Sequence, residues 1–174
     1  TKALRKYLRK FLGDPRVVDI NPWLWKIILN FFVLPFRPQK SAKLYARIWD
    51  GKSFPLITNT KNFTKSVSEE LKKIDPKGHV EVNHAFLLSP PYVNEVYDSW
   101  EEDLKKGVGA TKLLVIPMFP QYSESTIASG IDALAKELSK RVKIPTFEVI
   151  TNFHRTHAFI DNSVSQVDLK LNEL

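Results

Sequence analysis

The chain has 174 residues, 43% hydrophobic and 26% charged, the balance of one globular domain with a core of its own. It contains no cysteine, which excludes disulfides, thiolate metal sites and cysteine-held iron–sulfur clusters within it. Its net charge of +7 is uneven: the first 47 residues carry about +9, with Asp14 and Asp19 as their only acids, a flank suited to nucleic acid, anionic lipid or an anionic ligand, or simply a solvated helix face.

Residues 2–12 read as a helix with Leu4, Tyr7, Leu8, Phe11 and Leu12 on one face and Gly13 as its stop. Residues 21–36, "NPWLWKIILNFFVLPF", are apolar almost all round, with Asn21 as N-cap and Pro22 at the first helical position. Such a helix is either wholly buried or offers one apolar side to a ligand, a lipid or a partner. The stretch lacks the small-residue cleavage site of a signal peptide. It is also too short to span a bilayer, and Lys26 and Asn30 interrupt it. Residues 40–49 form a short helix with Leu44, Ile48 and Trp49 inward, and "DGKS" at 50–53 is a turn. The pattern from Phe54 is ambiguous, although Phe63, Val67, Leu71 and Ile74 have helical spacing.

Residues 79–88 alternate and then turn apolar, as a strand does, until Pro90 and Pro91 break the pattern. A helix follows with Val93, Val96, Tyr97, Trp100 and Leu104 on one face, closed by Gly107 and Gly109. Residues 111–119, "TKLLVIPMF", read as a strand buried on both faces. Ile127, Ile131, Leu134 and Leu138 mark the next helix, residues 145–151 a further strand, and Ile160, Val164, Val167 and Leu171 a last helix. The order β-α-β-α-β-α from residue 79 predicts a parallel sheet with right-handed crossovers and helices on both faces. Ligands in such sheets bind beyond the carboxyl ends of the strands.

Within the stretch "IPMFPQYSESTIASG", 116–130, residues 119–126 lie at such an end. Backbone N–H groups there, with the hydroxyls of Ser123, Ser125 and Thr126, suit an anionic or carboxylate-bearing ligand. The plainer alternative is that Ser123 or Ser125 only caps the helix. The loop has neither the glycine pattern of a dinucleotide fold or P-loop nor a nucleophile elbow, so nucleotide binding and acyl transfer are unsupported.

The segment "PMFPQYSESTIASG" closely resembles the Pro-x-Tyr-Pro-Gln-Tyr-Ser-x-Ser-Thr signature of ferrochelatase, and two further segments agree in order. "LRKYLRKFLGDPRVVDIN" is similar to the family's early helix and Asp-Pro-Arg-Val-Val-Asp turn. "LPFRPQKSAKLYARIWDGKSFPL" is similar to its Leu-Pro-x-Arg-x-x-Lys-x-x-x-x-Tyr segment. The resemblance implies an α/β chelatase-like domain, with a mostly four-stranded parallel sheet flanked by helices, one of two similar domains facing a cleft. It implies helix over residues 54–73, the amino-terminal domain over 1–174, and an enzyme, a lyase of haem biosynthesis, that inserts Fe(II) into protoporphyrin IX with release of two protons. No covalent cofactor is implied. The expected partners are porphyrin and the enzyme's own carboxyl-terminal domain, and the expected location is cytoplasmic with peripheral membrane contact.

By that resemblance Arg37 and Lys40 fall near the porphyrin carboxylates, in keeping with the need of two carboxylates for cations. Ser53 falls on a serine after the glycine turn. Phe119, Gln121, Tyr122, Ser123 and Ser125 fall on the signature lining the cleft. The run containing Trp23, Trp25, Ile28, Phe31, Phe32 and Leu34 falls on a hydrophobic lip that admits the macrocycle, and tryptophan and phenylalanine beside basic residues suit a membrane interface.

The chain departs from the family pattern in four places. It starts after the family's first strand, so the sheet is expected to lack it. Phe119 stands where the signature has its first tyrosine. "HAFLLSPP" stands where many members have Arg-Tyr-Gly, so a cleft arginine is missing. The chain ends before the family's Ser-x-His-Gly-x-Pro histidine and its partner glutamate. Porphyrin metallation needs a base for two pyrrole protons and a site that strips water from the metal ion. No catalytic residue is therefore assigned here, and the chain alone is expected to bind porphyrin without metallating it. His154 and His157 have a metal-sharing spacing but open the last helix, and His79 follows a turn. His84, near a strand end, is the remaining outside candidate for a metal. Rival readings are a non-catalytic tetrapyrrole- or partner-binding relative and a chelatase for another metal. No nucleic-acid-binding module is recognisable.

Overall fold

The computed structural model describes residues 2–107 and 111–173. The first helical pattern becomes α1 (Lys2–Leu12), and its apolar stripe meets the second one. That second helix opens as α2 (Pro22–Ile28), with the Asn21 side chain accepting the N–H groups of Trp23 and Leu24. It continues through a π-helical turn at 29–33, where the Leu34 N–H reaches the Leu29 carbonyl at 2.9 Å. The extra residue in that turn rotates the following side chains. Leu29 and Leu34 thereby join Leu8 and Leu12 in one core, edged by Leu4, Tyr7, Val18, Trp25 and Val33.

Pro38 sits in the first turn of α3 (Arg37–Ala46), where its missing N–H costs nothing. The helix therefore begins and ends three residues earlier than its apolar spacing indicates. Leu44, Ile48 and Trp49, expected inward, are exposed; Ile48 and Trp49 lie past its end, and Trp49 stacks edge-on against Phe54. The 50–53 turn forms as expected. Gly51 has φ +91°, and the Asp50 carboxylate accepts the N–H groups of Lys52 and Ser53. The ambiguous stretch is α4 (Pro55–Ile74), as the family resemblance implies, and it buries no residue completely.

The expected strand at 79–88 is not a strand. Among the described residues its only bridge is Phe86 to Tyr92, with the Phe86 N–H on the Pro91 carbonyl. Its start is held locally: Asp75 takes the backbone N–H groups of His79 and Val80. Alternation makes a strand only when a neighbouring strand supplies the ladder, and local side-chain bonds compete with it. Beyond it lies α5 (Val93–Lys105), closed by Gly107 at φ +79°. Gly109, the second expected stop, lies outside the described residues.

Strand β1 (Lys112–Val115) pairs in parallel with β2 (Thr146–Val149), Leu113 opposite Phe147 and Val115 opposite Val149. Between them run a π-helical turn at 124–128 and α6 (Ser129–Leu138). The sheet has two strands among the described residues, where four were expected. Tyr97 of α5 with Leu134 and Leu138 of α6 makes the second core, closed by Leu113 and Val115 from below. The other face of β1 is not covered, contrary to the expectation of burial on both sides: Leu114 is 51% exposed. Helices α5 and α6 lie on one side only. The final helix, α7 (His157–Leu171), has its stripe of Ile160, Val164, Val167 and Leu171 exposed. The protein is thus a helical domain around a small parallel sheet.

Candidate functional site

The junction after β1 is assembled by backbone bonds. The N–H groups of Phe153 and His154 both donate to the Pro120 carbonyl, tying the loop after β2 to the loop after β1. Ser123 is extended, and its carbonyl accepts from Thr126, Ile127 and Ala128 at 3.4, 2.9 and 3.2 Å. Of the amides at 119–126 that an incoming anion was expected to use, that of Thr126 is therefore already paired. The Ser123 side chain makes no helix cap. It meets the Ser125 hydroxyl at 3.1 Å. A hydroxyl pair uses one proton between the two oxygens and leaves the other free to donate outward. Gln121, Tyr122 and Ser125 are exposed and Ser123 is half-buried. Phe119, where the signature has tyrosine, is 46% exposed and presents an apolar ring.

Arg16, which sequence reasoning did not single out, braces this junction. Its guanidinium forms a two-pronged ion pair with Asp132 of α6. The hydrogen bond to Asp132 raises the arginine pKa, Tyr122 and Glu124 add to its field, and Asp132 is held below the usual carboxylate range. The signal was present, since Arg16 belongs to the Asp-Pro-Arg segment. Spacing alone did not show its partner, 116 residues away.

Arg37 and Lys40 line a different hollow, of about 240 Å³, with Phe32, Val33 and Phe36 as its walls. No serine of the junction lines it. Among the described residues no hydrogen bond or ion pair joins Arg37 or Lys40 to Ser123 or Ser125. The two cations and the two serines therefore make no direct bond with one another among the described residues. Ser53 is held locally, its N–H on Asp50 and its hydroxyl 3.4 Å from the Phe54 carbonyl. Phe54 in turn stacks edge-on against Tyr45, and Tyr45 against Tyr7 of α1.

The apolar lip divides. Trp23 is 77% exposed, and Phe31, Phe32 and Phe36 are about as open, with Lys26 among them. Trp25 and Leu34 are core instead. The Trp25 indole N–H donates to the Leu12 carbonyl at 2.6 Å, and Leu34 is 1% exposed. Ile28 is half-buried. One helix of this composition therefore has both of the fates its sequence left open.

Histidine geometry is limited. The Thr64 hydroxyl donates to the Thr60 carbonyl, so the His84 Nδ1 at 3.1 Å must be the donor to Thr64. The lone pair then lies on Nε2, which is buried without a partner, beside the Phe86 ring. His154 Nδ1 is likewise buried and unpartnered at the junction. Among the described residues no three histidine or acidic side chains converge as metal ligands.

The family model described as ferrochelatase matches residues 1–174. The chain is 40% identical over 167 residues to a ferrochelatase of Idiomarina loihiensis, covering 96% of this chain and 44% of that protein. It is 35% identical to a ferrochelatase of Marinobacter nauticus, covering 97% and 44%. It is 37% identical to a coproporphyrin III ferrochelatase of Streptococcus mutans, covering 98% and 51%. The chain spans about half the length of the curated relatives it matches.

Proposed function

This chain belongs to the ferrochelatase family, whose members insert a metal ion into a porphyrin, and from that premise we propose that it forms one wall and the apolar mouth of a porphyrin cleft. In the complete enzyme the reaction is insertion of Fe(II) into protoporphyrin IX. The observation that carries the reading is the hollow beside Arg37 and Lys40, where two cations meet the side chains of Phe32, Val33 and Phe36. A flat apolar macrocycle with acidic substituents needs that combination: aromatic surface for the ring and charge-assisted donors for its edge. Ser123 and Ser125 add hydroxyl donors at the second part of the wall. Trp23, Phe31 and Phe32 form the mouth, which rests peripherally on a membrane surface. Among the described residues no helix is long and apolar enough to cross a membrane.

Metallation requires a base for the two pyrrole protons. This chain's part is to bind and orient; the base and the groups that strip the metal ion of water belong to a second domain, and the isolated chain is inactive. A second substrate reading, coproporphyrin III, is favoured by the Streptococcus mutans relative. That porphyrin carries more carboxylates than protoporphyrin IX and so asks for more cations.

Titration of both porphyrins, followed by the Soret band, tests the reading. Arg37→Ala is expected to weaken binding about tenfold, the worth of one charged hydrogen bond. Ser123→Ala is expected to have a smaller effect. Equal affinity in wild type and Arg37→Ala would overturn the placement of the cleft. Steady Fe(II) insertion by the isolated chain would overturn its assigned inactivity. A non-catalytic relative would show binding but no activity even in the full-length protein.

A further inference from the structure

A second hollow, of about 200 Å³, opens between α1, the 86–94 segment and α6. We propose that it is an anion subsite, taking a carboxylate or phosphate group carried on a short apolar stem. Three lysines face it: Lys10 from α1, Lys136 from α6 and Lys140 just past the end of α6. Lys10 is held in position, its ammonium 4.1 Å above the Tyr92 ring and 3.3 Å from the Leu87 carbonyl. An ammonium has three donors, so this arrangement leaves others free. Lys136 has no acid partner among the described residues.

The acid on the wall is Glu137, which is buried and already compensated. Lys140 donates to one of its oxygens at 2.9 Å, and the Arg141 guanidinium takes the other. The wall therefore keeps a positive excess. Phe86, Leu87 and Val93 make its apolar side, and a low-dielectric wall strengthens the field of nearby cations. The volume is below that of ordinary small-molecule pockets, which suits a single acidic group with a few carbons. The hollow shares no residue with the one beside Arg37, so it stands independently of the porphyrin reading.

The test is calorimetric titration at low salt with inorganic phosphate and with butyrate, against chloride at matched ionic strength. Wild type, Lys136→Met, Lys10→Met and Arg37→Ala are compared after circular dichroism confirms folding. Saturable binding, weakened about tenfold by Lys136→Met and unchanged by Arg37→Ala, is expected. Tighter phosphate binding identifies a phosphorylated ligand; tighter butyrate binding identifies a carboxylate with an apolar stem. Lys136 is exposed, so its variant carries the test even if Lys10→Met fails to fold. Unsaturable heat, chloride binding of equal strength, or unchanged affinity in Lys136→Met would overturn the subsite.

Discussion

Trp23 and Leu34 belong to one apolar run and end in opposite environments. Leu34 is packed among Leu8, Leu12 and Leu29, whereas Trp23 stands in solvent. Leu34→Ala is expected to cost about 2–5 kcal/mol, because the removed atoms leave a cavity that helices can close only in part. Trp23→Ala is expected to change stability by less than about 0.5 kcal/mol. Urea unfolding of the two variants separates them, and equal losses would mean the core is misplaced. The run's composition does not distinguish these residues, since a helix apolar all round has no preferred face. The π-helical turn decides which side chains rotate inward. Arg37, Lys40 and the two serines were legible as candidates because their types suit acidic ligands and their segments match the family. That Arg37 and Lys40 would line a hollow with Phe32, Val33 and Phe36 was not legible, since distance in space is not written in spacing.

At the scale of elements, α5 and α6 are joined by charge as well as by Tyr97 and Leu134. Arg141, just past α6, pairs with Glu137, with Glu101 at 3.1 Å and with Asp98 at 2.6 Å, and it lies over the Tyr97 ring. Lys140 and Arg141 hold the Glu137 carboxylate below its usual range, and Arg16 does the same for Asp132. A carboxylate whose folded pKa is depressed contributes stability above its unfolded pKa and loses it as pH falls through the folded value. Stability is therefore expected to hold near neutrality and to decline below about pH 4, with the steepest loss below the ordinary carboxylate range. Melting temperature against pH checks this. Glu137→Gln should flatten part of the acid limb, and an unchanged profile would remove Glu137 from the account. The start of α2 is equally specific: Asn21→Ala is expected to cost about 1 kcal/mol, the ordinary worth of an N-cap. Helix existence and type were readable from periodicity for α1, α5, α6 and α7, whereas α4 followed from the family resemblance. The strand at 79–88 misled because its pattern is that of a strand, while pairing is a property of two segments.

At the scale of the molecule, apolar surface is distributed unequally. Two cores hold α1 with α2 and α5 with α6, while α7 and the outer face of β1 remain uncovered. Amides of α7 are therefore expected to exchange with deuterium faster than those of α6, measured by exchange with mass spectrometry. Similar protection in both helices would mean that α7 is packed. By itself the sequence determined the family, the order of the helices, the early basic flank and the residue types available for acidic ligands, because these depend on identity and local periodicity. Only the tertiary structure decided which lip residues became core, which amides at the Ser123 turn were already paired, and that Lys10, Lys136 and Lys140 would line one hollow. Those outcomes depend on how packed elements bring residues distant in the chain together, and the sum of buried contacts, not any local preference, selects among the arrangements that the pattern permits.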